Sequence, residues 1–370
     1  MRIVHIADVH LDRPFVGLPR AAAKTRRAGL FSTFRRCIEL AEERGADLFT
    51  IGGDLWEEEH VTPDTRRSVA HELGRLGTPV LIVCGNHDRL QPGGSYAQTD
   101  WPANVHVFPQ RSFTTFDIQD GVVWGVSWGS RDLAANLLDK SDVPDDGRHH
   151  ILLVHGTAVP LLDLVDEAYF PFQPAKVRDA GFSICLAGHV HVAAEEGPVV
   201  YPGSPEPLGW GEQGRHCAAV VELTGESVSV DLVEVNETRY ETREADCTGC
   251  GSSAEVRRRL KDALDDQNRA NLFLRLRLVG EVDPQCELEA TRLEAELGGS
   301  YGALVVEDRT VPLLELAERA SGHGLEGLFV QTLLERIEQA RGEGERRELE
   351  LALTAGLRAI EGREPILHVD

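Results

Sequence analysis

Five apolar stretches of this chain end on side chains that can donate a lone pair to a metal ion. IVHIADVH supplies Asp8 and His10, LFTIGGD supplies Asp54, LIVCGNHD supplies Asn86 and His87, ILLVHG supplies His155, and ICLAGHVH supplies His189 and His191. Asp8 and His10, like His189 and His191, stand two residues apart, so in extended chain the members of each pair lean to one side and can approach one centre. Imidazole, carboxylate and amide donors together suit manganese, iron or zinc better than an all-oxygen calcium or magnesium cage, and this set exceeds what one ion needs. Two ions about 3.5 to 4 Å apart, bridged by one carboxylate, fit the inventory; such a pair lowers the pKa of a bridging water and clamps a phosphate for in-line attack. A lone strand-end histidine is more often a hydrogen-bonded structural group. His5, His71, His106, His149, His150 and His216 are read that way.

Donors so far apart in sequence can meet because the carboxyl ends of strands in open α/β sheets gather at one edge, where ligands bind. Over residues 1–236 the runs RIVHIA, DLFTIG, PVLIV, HHILLV, SICLA and CAAVVEL read as strands, with helices over part of 20–44 and near 64–76. This is an α/β pattern, and VVWGVSW and VSVDLVEV add strands for a mixed sheet or two stacked sheets. The glycines ahead of Asp54, Asn86 and His189 are expected to turn the backbone so that the next side chain aims over the sheet edge. After the polar stretch VNETRYETREADCTGCGSS, helix, strand, helix and strand make a small α/β module over 237–310. In 311–370, Leu325, Leu328, Phe329 and Leu333 form one apolar stripe and Leu349, Leu353, Leu357 and Ile360 another. Such short helices are expected to dock on the body or on a partner.

Length bounds the answer at two or three domains for 370 residues. A strand opens at residue 2, and no apolar run approaches membrane-spanning length, so a cytoplasmic protein without membrane contact is expected. Seven scattered cysteines read as reduced core residues, and Cys247-x-x-Cys250 lacks the further ligands of a closed zinc site. A net charge of −23 argues against coating nucleic acid by bulk charge. Two basic runs stand out, Arg13, Arg20, Lys24, Arg26, Arg27, Arg35 and Arg36, then Arg257, Arg258, Arg259 and Lys261. They read as solvated helix faces, with phosphate binding as the alternative.

The series D-x-H, G-D, G-N-H-D, H-G and G-H-x-H resembles the calcineurin-like metallophosphoesterase superfamily. Its order and spacing are most similar to the SbcD-type branch of DNA repair nucleases. The resemblance covers residues 1–236 and, more loosely, the remainder. It implies a two-sheet sandwich flanked by helices, a capping domain at 237–310 and a partner-docking helical region at 311–370. It also implies that Asp8, His10, Asp54 and His191 hold one metal and Asp54, Asn86, His155 and His189 the other. His87 would face the scissile phosphate as general acid or transition-state stabiliser, with Asp88 orienting it. The ions would be manganese, with iron, zinc or magnesium as alternatives. YPGSPEP, residues 201–207, resembles the branch's Y-P-G-S loop. Where archaeal and eukaryotic nucleases of the branch carry a second active-site histidine, this chain has Glu57 in WEEEH, which reads as a solvated acidic loop with His60 nearby.

The function expected is two-metal hydrolysis of DNA phosphodiesters, as exonuclease or endonuclease, in complex with an SbcC-like ATPase of the SMC family. Homodimerisation is implied by the resemblance. The competing readings are a phosphoesterase acting on a nucleotide, cyclic nucleotide or phosphoprotein, since one metal site serves many substrates, and a non-catalytic scaffold, which need not retain metal ligands.

Overall fold

The computed structural model describes residues 1–18, 20–110, 112–129, 137–140, 143–264, 270–283, 286, 288–312 and 316–360. The chain divides into two compact units, Met1–Tyr240 and Glu241–Asp370. In the first unit the chain runs β1 (Arg2–Ile6), α1 (Arg20–Arg44), β2 (Leu48–Ile51), α2 (Pro63–Arg75), β3 (Val80–Ile82) and β4 (Val105–Val107). It continues through β5 (Thr114–Ile118), β6 (Gly121–Gly125), β7 (His149–His155), α3 (Pro174–Asp179), β8 (Ile184–Gly188), β9 (Ala194–Glu196), β10 (Val199–Tyr201), β11 (Cys217–Thr224) and β12 (Ser227–Glu234).

Two six-stranded sheets result, ordered β12-β11-β1-β2-β3-β4 and β5-β6-β7-β8-β10-β9. The strands that carry the donors are parallel, β1 to β2, β2 to β3, and β7 to β8, so within each sheet their carboxyl ends emerge on one edge. Side-chain alternation sorts the residues between two layers. Ile3 and Leu48 join Ile151, Leu153, Ile184 and Leu186 in a core shared by both sheets. Val4, Ile6, Phe49 and Ile51 face the other way, onto Leu30, Phe34 and Ile38 of α1 and Val69 and Leu73 of α2. The architecture is thus a mixed α/β sandwich of two sheets flanked by helices.

α1 buries Ala23, Arg26, Leu30, Phe34, Cys37 and Ala41, spacings of three and four that lay one stripe on the sheet. Thr62 caps α2 by accepting the Thr65 amide, with Pro63 in the first turn, where its missing N–H costs nothing. Arg26 departs from the reading of its basic run as a solvated face. It is buried against Glu206, Thr238 and the Pro207 carbonyl, so burial demanded a partner and received one. In the second run, Arg257 pairs with Glu296, and Arg259 donates to the carbonyls of Asp246 and Thr248.

A separate apolar core organises the second unit. β13 (Arg239–Asp246) leads into α4 (Ser253–Ala263), β14 (Leu272–Val279), β15 (Glu281–Val282), α5 (Ala290–Leu297), β16 (Ala303–Asp308), β17 (Val311–Pro312), α6 (Leu316–Ala320), α7 (Leu325–Gln339) and α8 (Glu343–Ile360). β13, β14 and β16 form a three-stranded sheet with Leu274, Leu276 and Leu278 turned to a core that also holds Cys247, Cys250 and Cys286. All seven cysteines are free and buried.

The apolar stripes of α7 and α8 pack on each other only in part. Val330 and Leu333 meet Leu349, Leu353 and Leu357, whereas Leu325 and Leu328 are 77% and 64% exposed. The helical period turns the start of α7 away from the seam that Val330 and Leu333 occupy. Residues 361–370, the end of the expected docking region, lie outside the described residues, as do 265–269 of the 237–310 module. Among the described residues no helix is long and apolar enough to cross a membrane.

Candidate metal centre

The donors stand where the strands of the two sheets run out. His155 is the last residue of β7, His189 follows β8 directly, and Asp8, Asp54 and Asn86 lie just past β1, β2 and β3. Asp8, His10, Asp54 and His189 carry φ of +54°, +50°, +50° and +97°. Non-glycine residues seldom adopt that region, and each such residue costs about 1–3 kcal/mol unless its surroundings over-determine it. Here they do. The amides of Asp8 and His10 donate to the carbonyls of Gly53 and Asp54, each at 3.0 Å, and the His189 amide donates to both Asp8 oxygens at 3.0 Å.

The expectation that the preceding glycines make the turns is corrected in detail. Gly53 does so, with φ +99°, but at Asp54 and His189 the donor residue itself turns. Gly85 serves close approach instead, since a Cβ there would collide with the Asp54 carboxylate.

The side chains converge. Ligating atoms of Asp8, His10 and His191 lie within 4.8 Å of one another, as do those of His10, Asp54 and His87, and those of Asp8, Asp54 and His155. His10 Nε2 is 3.3 Å from His191 Nε2. Asp54 Oδ2 is 3.7 Å from His10 Nε2 and 3.4 Å from His155 Nε2. Ligands bonded to one ion at about 2.1 Å in tetrahedral or octahedral arrangement sit roughly 3–3.5 Å apart, so the spacing fits divalent cations. Asn86 Oδ1 is 2.8 Å from His155 Nε2. His189 packs edge to face on His155, 5.1 Å between ring centroids, but belongs to none of these three donor groups.

Each imidazole is held by its other nitrogen. His155 Nδ1 meets the Gly52 carbonyl at 2.9 Å and His189 Nε2 the Glu167 carbonyl at 2.9 Å, so each ring must donate there and keep a lone pair on the opposite nitrogen. His10 Nδ1 meets Glu57 Oε1 at 3.0 Å, and His191 Nδ1 meets Glu212 Oε1 at 2.7 Å. Burial works against both glutamates, yet the histidine hydrogen bonds hold Glu57 far below its usual pKa and Glu212 down to about 2. Both are therefore ionised acceptors, and both Nδ1 atoms donate. The two Nε2 atoms then face each other at 3.3 Å, an approach of lone pairs that only a proton or a cation between them relieves.

Titration follows the same contacts. Burial pushes the Asp8 carboxyl up, with His191 and His155 opposing. Burial would also raise Asp54, but the charges of His155, His10 and His87 bring it below its usual value. Burial lowers His10, and burial with His155 lowers His189 to about 3. For His191 the Glu212 bond overcomes burial and lifts the ring to about 9.

Two readings of the sequence change. Asp88 does not orient His87. Its oxygens accept the amides of Asp54 (3.2 Å), Leu55 (2.7 Å) and Gly85 (2.6 Å) and the Tyr96 hydroxyl (2.6 Å), which pins the Asp54 and Asn86 loops together. Burial, with Asp54 nearby, raises the Asp88 carboxyl to about 7.

Glu57 is not part of a solvated loop. Its carboxylate spans His10, His87 Nδ1 at 2.9 Å and Arg13 Nη1 at 3.2 Å, and the His87 bond raises that imidazole's pKa. Glu59 and His60 are exposed, while Glu58 accepts the Ser95 amide.

Glu212 has no mark in the sequence at all. It is set by the YPGSPEP loop, whose Ser204 hydroxyl donates to Glu212 Oε2 at 3.1 Å. The loop's Tyr201 hydroxyl donates to the Gly156 carbonyl and accepts the Ala158 amide, steadying the turn after His155.

Comparison with known proteins agrees with this chemistry. Residues 1–193 match the family model described as calcineurin-like phosphoesterase. An uncharacterized metallophosphoesterase of Bacillus subtilis, YhaO, is 26% identical over 308 residues, 79% of this chain and 74% of its own length. The DNA double-strand break repair protein Mre11 of Methanopyrus kandleri is 28% identical over 298 residues, 70% of this chain and 62% of its own. Its counterpart in Thermoplasma acidophilum is 24% identical over 266 residues, 65% and 67% of the two chains. The chain belongs to the calcineurin-like phosphoesterase family of metal-dependent hydrolases.

Proposed function

We propose that this protein is a two-metal phosphodiesterase acting on DNA, the nuclease subunit of an SbcCD-like repair complex of the cytoplasm. One observation carries the metal chemistry. His10 and His191 turn two anchored imidazoles onto one point at 3.3 Å, and Asp54 Oδ2 stands between His10 and His155. Asp8, His10, Asp54 and His191 would hold one cation and Asp54, Asn86, His155 and His189 the other, with Asp54 shared. Bound cations, manganese foremost, would supply a nucleophilic water and charge on the phosphate oxygens. The chain's own part is to aim those donors, and to present His87, held by Glu57, as general acid or transition-state stabiliser.

DNA as substrate is supported by the likeness to the two archaeal repair proteins. The 237–310 module is assigned to admitting DNA, and the 311–370 helices, with Leu325 and Leu328 exposed, to docking an SMC-type ATPase. A homodimer is part of the same reading.

The test compares manganese-loaded protein on double-stranded DNA, single-stranded DNA and a small phosphodiester. His87→Ala should retain both ions and lose roughly 10²–10⁴-fold in turnover. Loss of an ion from that variant would instead make His87 a ligand, and a protein that cuts the small ester but never DNA, even with the ATPase added, refutes the nuclease reading.

A further inference from the structure

Resting on that reading, we infer that a cavity beside His87 receives one unpaired nucleobase next to the scissile phosphate. The cavity measures about 500 Å³, within the range of small-molecule sites, and its walls include Arg13, Phe15, Glu57, His87, Trp210 and Tyr240. His87 and Glu57 belong equally to the metal centre, so a phosphate held there has its substituent at the mouth of this cavity.

The walls differ in kind from the centre they adjoin. Trp210 packs edge to face with Tyr240 at 4.9 Å between ring centroids. Tyr240 and Phe15 are set by Arg26, whose guanidinium lies 5.6 and 5.2 Å from their centroids and is itself locked to Glu206. Phe15 has φ +51°, a conformation a bulky side chain keeps only when its surroundings impose it. Val16 beside it is 93% exposed, an apolar side chain presented to the cavity and packed under little else. Phe15 and Tyr240 are buried and back the wall, so half-buried Trp210 and exposed Val16 are the surfaces a base would meet, while Arg13, paired with Glu57 at 3.2 Å, closes the end nearest His87. Stacking of a base on such a surface is sequence-tolerant. A base held in a duplex is stacked on both faces and would have to leave its pair to enter. The substrate class is therefore single-stranded or frayed DNA, or a nucleotide diester of the same chemistry.

The experiment uses the full chain, loaded with manganese and carrying His87→Ala so that cutting is slowed roughly 10²–10⁴-fold. Because His87 lines the cavity, that variant is the reference for every further substitution. It measures by anisotropy the affinity for a labelled thymidine decamer and for an abasic decamer of equal charge. Catalytically intact protein is assayed in parallel on double-stranded DNA and on the methyl ester of thymidine 5′-phosphate. The thymidine strand should bind roughly tenfold or more tightly than the abasic one. Trp210→Ala should abolish most of that preference and Trp210→Phe keep most of it. Val16→Asn, neutral and at an exposed position, should weaken it without lowering the melting temperature. If both Trp210→Ala and Val16→Asn leave the preference intact, the cavity does not hold the base. Cleavage of the methyl ester with the same Trp210 dependence would assign the pocket to nucleotides as well as strands. If the intact enzyme cuts neither DNA nor the ester, the phosphodiesterase reading itself fails, whatever the decamers do.

Discussion

At the residue scale the centre is a set of imidazoles whose far nitrogens have been spoken for. Replacing an outer partner of a metal-binding histidine commonly costs 10–100-fold in metal affinity. Glu57 serves two rings, His10 and His87, so Glu57→Gln should weaken manganese binding by roughly that factor and also lower turnover at saturating metal. Calorimetric titration with manganese, followed by rates at saturation, separates the two effects. An unchanged affinity would mean that Glu57 does not set His10. Glu212 makes a prediction with a sign in pH. It lifts His191 to about 9, so a cation arriving at Nε2 must displace a proton, and affinity should climb as pH rises toward about 9 and level off above it. Glu212→Gln removes the carboxylate that raises the ring, so the climb should flatten and move to lower pH in titrations between pH 6 and 9.

The donors are legible in sequence because each follows an apolar run at once, the one local rule that places a side chain at a sheet edge. Glu57, Glu212 and the true task of Asp88 are not, because their partners are fixed by loop paths. Glu57 reaches two histidines separated by two successive helix–strand crossovers, and Asp88 turns away from its neighbour to collect three amides and a hydroxyl.

At the scale of elements, parallel strands bring the donors to their edges and a few buried polar groups lock the loops. The longer apolar strands and both long helices of the first unit are readable from period, since α1 and α2 bury regular stripes, whereas β4, β5, β9 and β10, of three to five residues, are too short or too polar to stand out. What period does not reveal is that Arg26 lies on the buried side of α1 and that the loop after the Y-P-G-S segment supplies its counter-ion. Arg26 and Glu206 are each 1% exposed at the side chain and 3.0 Å apart, and Glu206 also accepts from Thr33 and from the amides of Glu237 and Thr238. Glu206→Gln would leave the guanidinium buried without its charge partner. The expected loss is about 3–5 kcal/mol of stability, read from urea unfolding, and a loss below about 1 kcal/mol would show that the neutral amide suffices. The α7–α8 pair shows the opposite failing of pattern. The apolar stripe on α7 is visible in sequence, but which of its residues meet α8 depends on the helix's rotation, and Leu325 and Leu328 stay in solvent.

At the scale of the whole molecule, a chain of net charge −23 repels a phosphate backbone at distance, and this repulsion is screened beyond about 8 Å at physiological salt. Attraction must then be local, and two divalent cations at the strand ends would supply it. The most direct measurement is electron paramagnetic resonance of the manganese-loaded protein with parallel metal analysis. Two manganese ions per chain are expected, with the spectrum of an exchange-coupled pair and both lost in Asp54→Asn. A single uncoupled six-line spectrum, or an Asp54→Asn protein that still holds two coupled ions, would contradict a pair shared through Asp54.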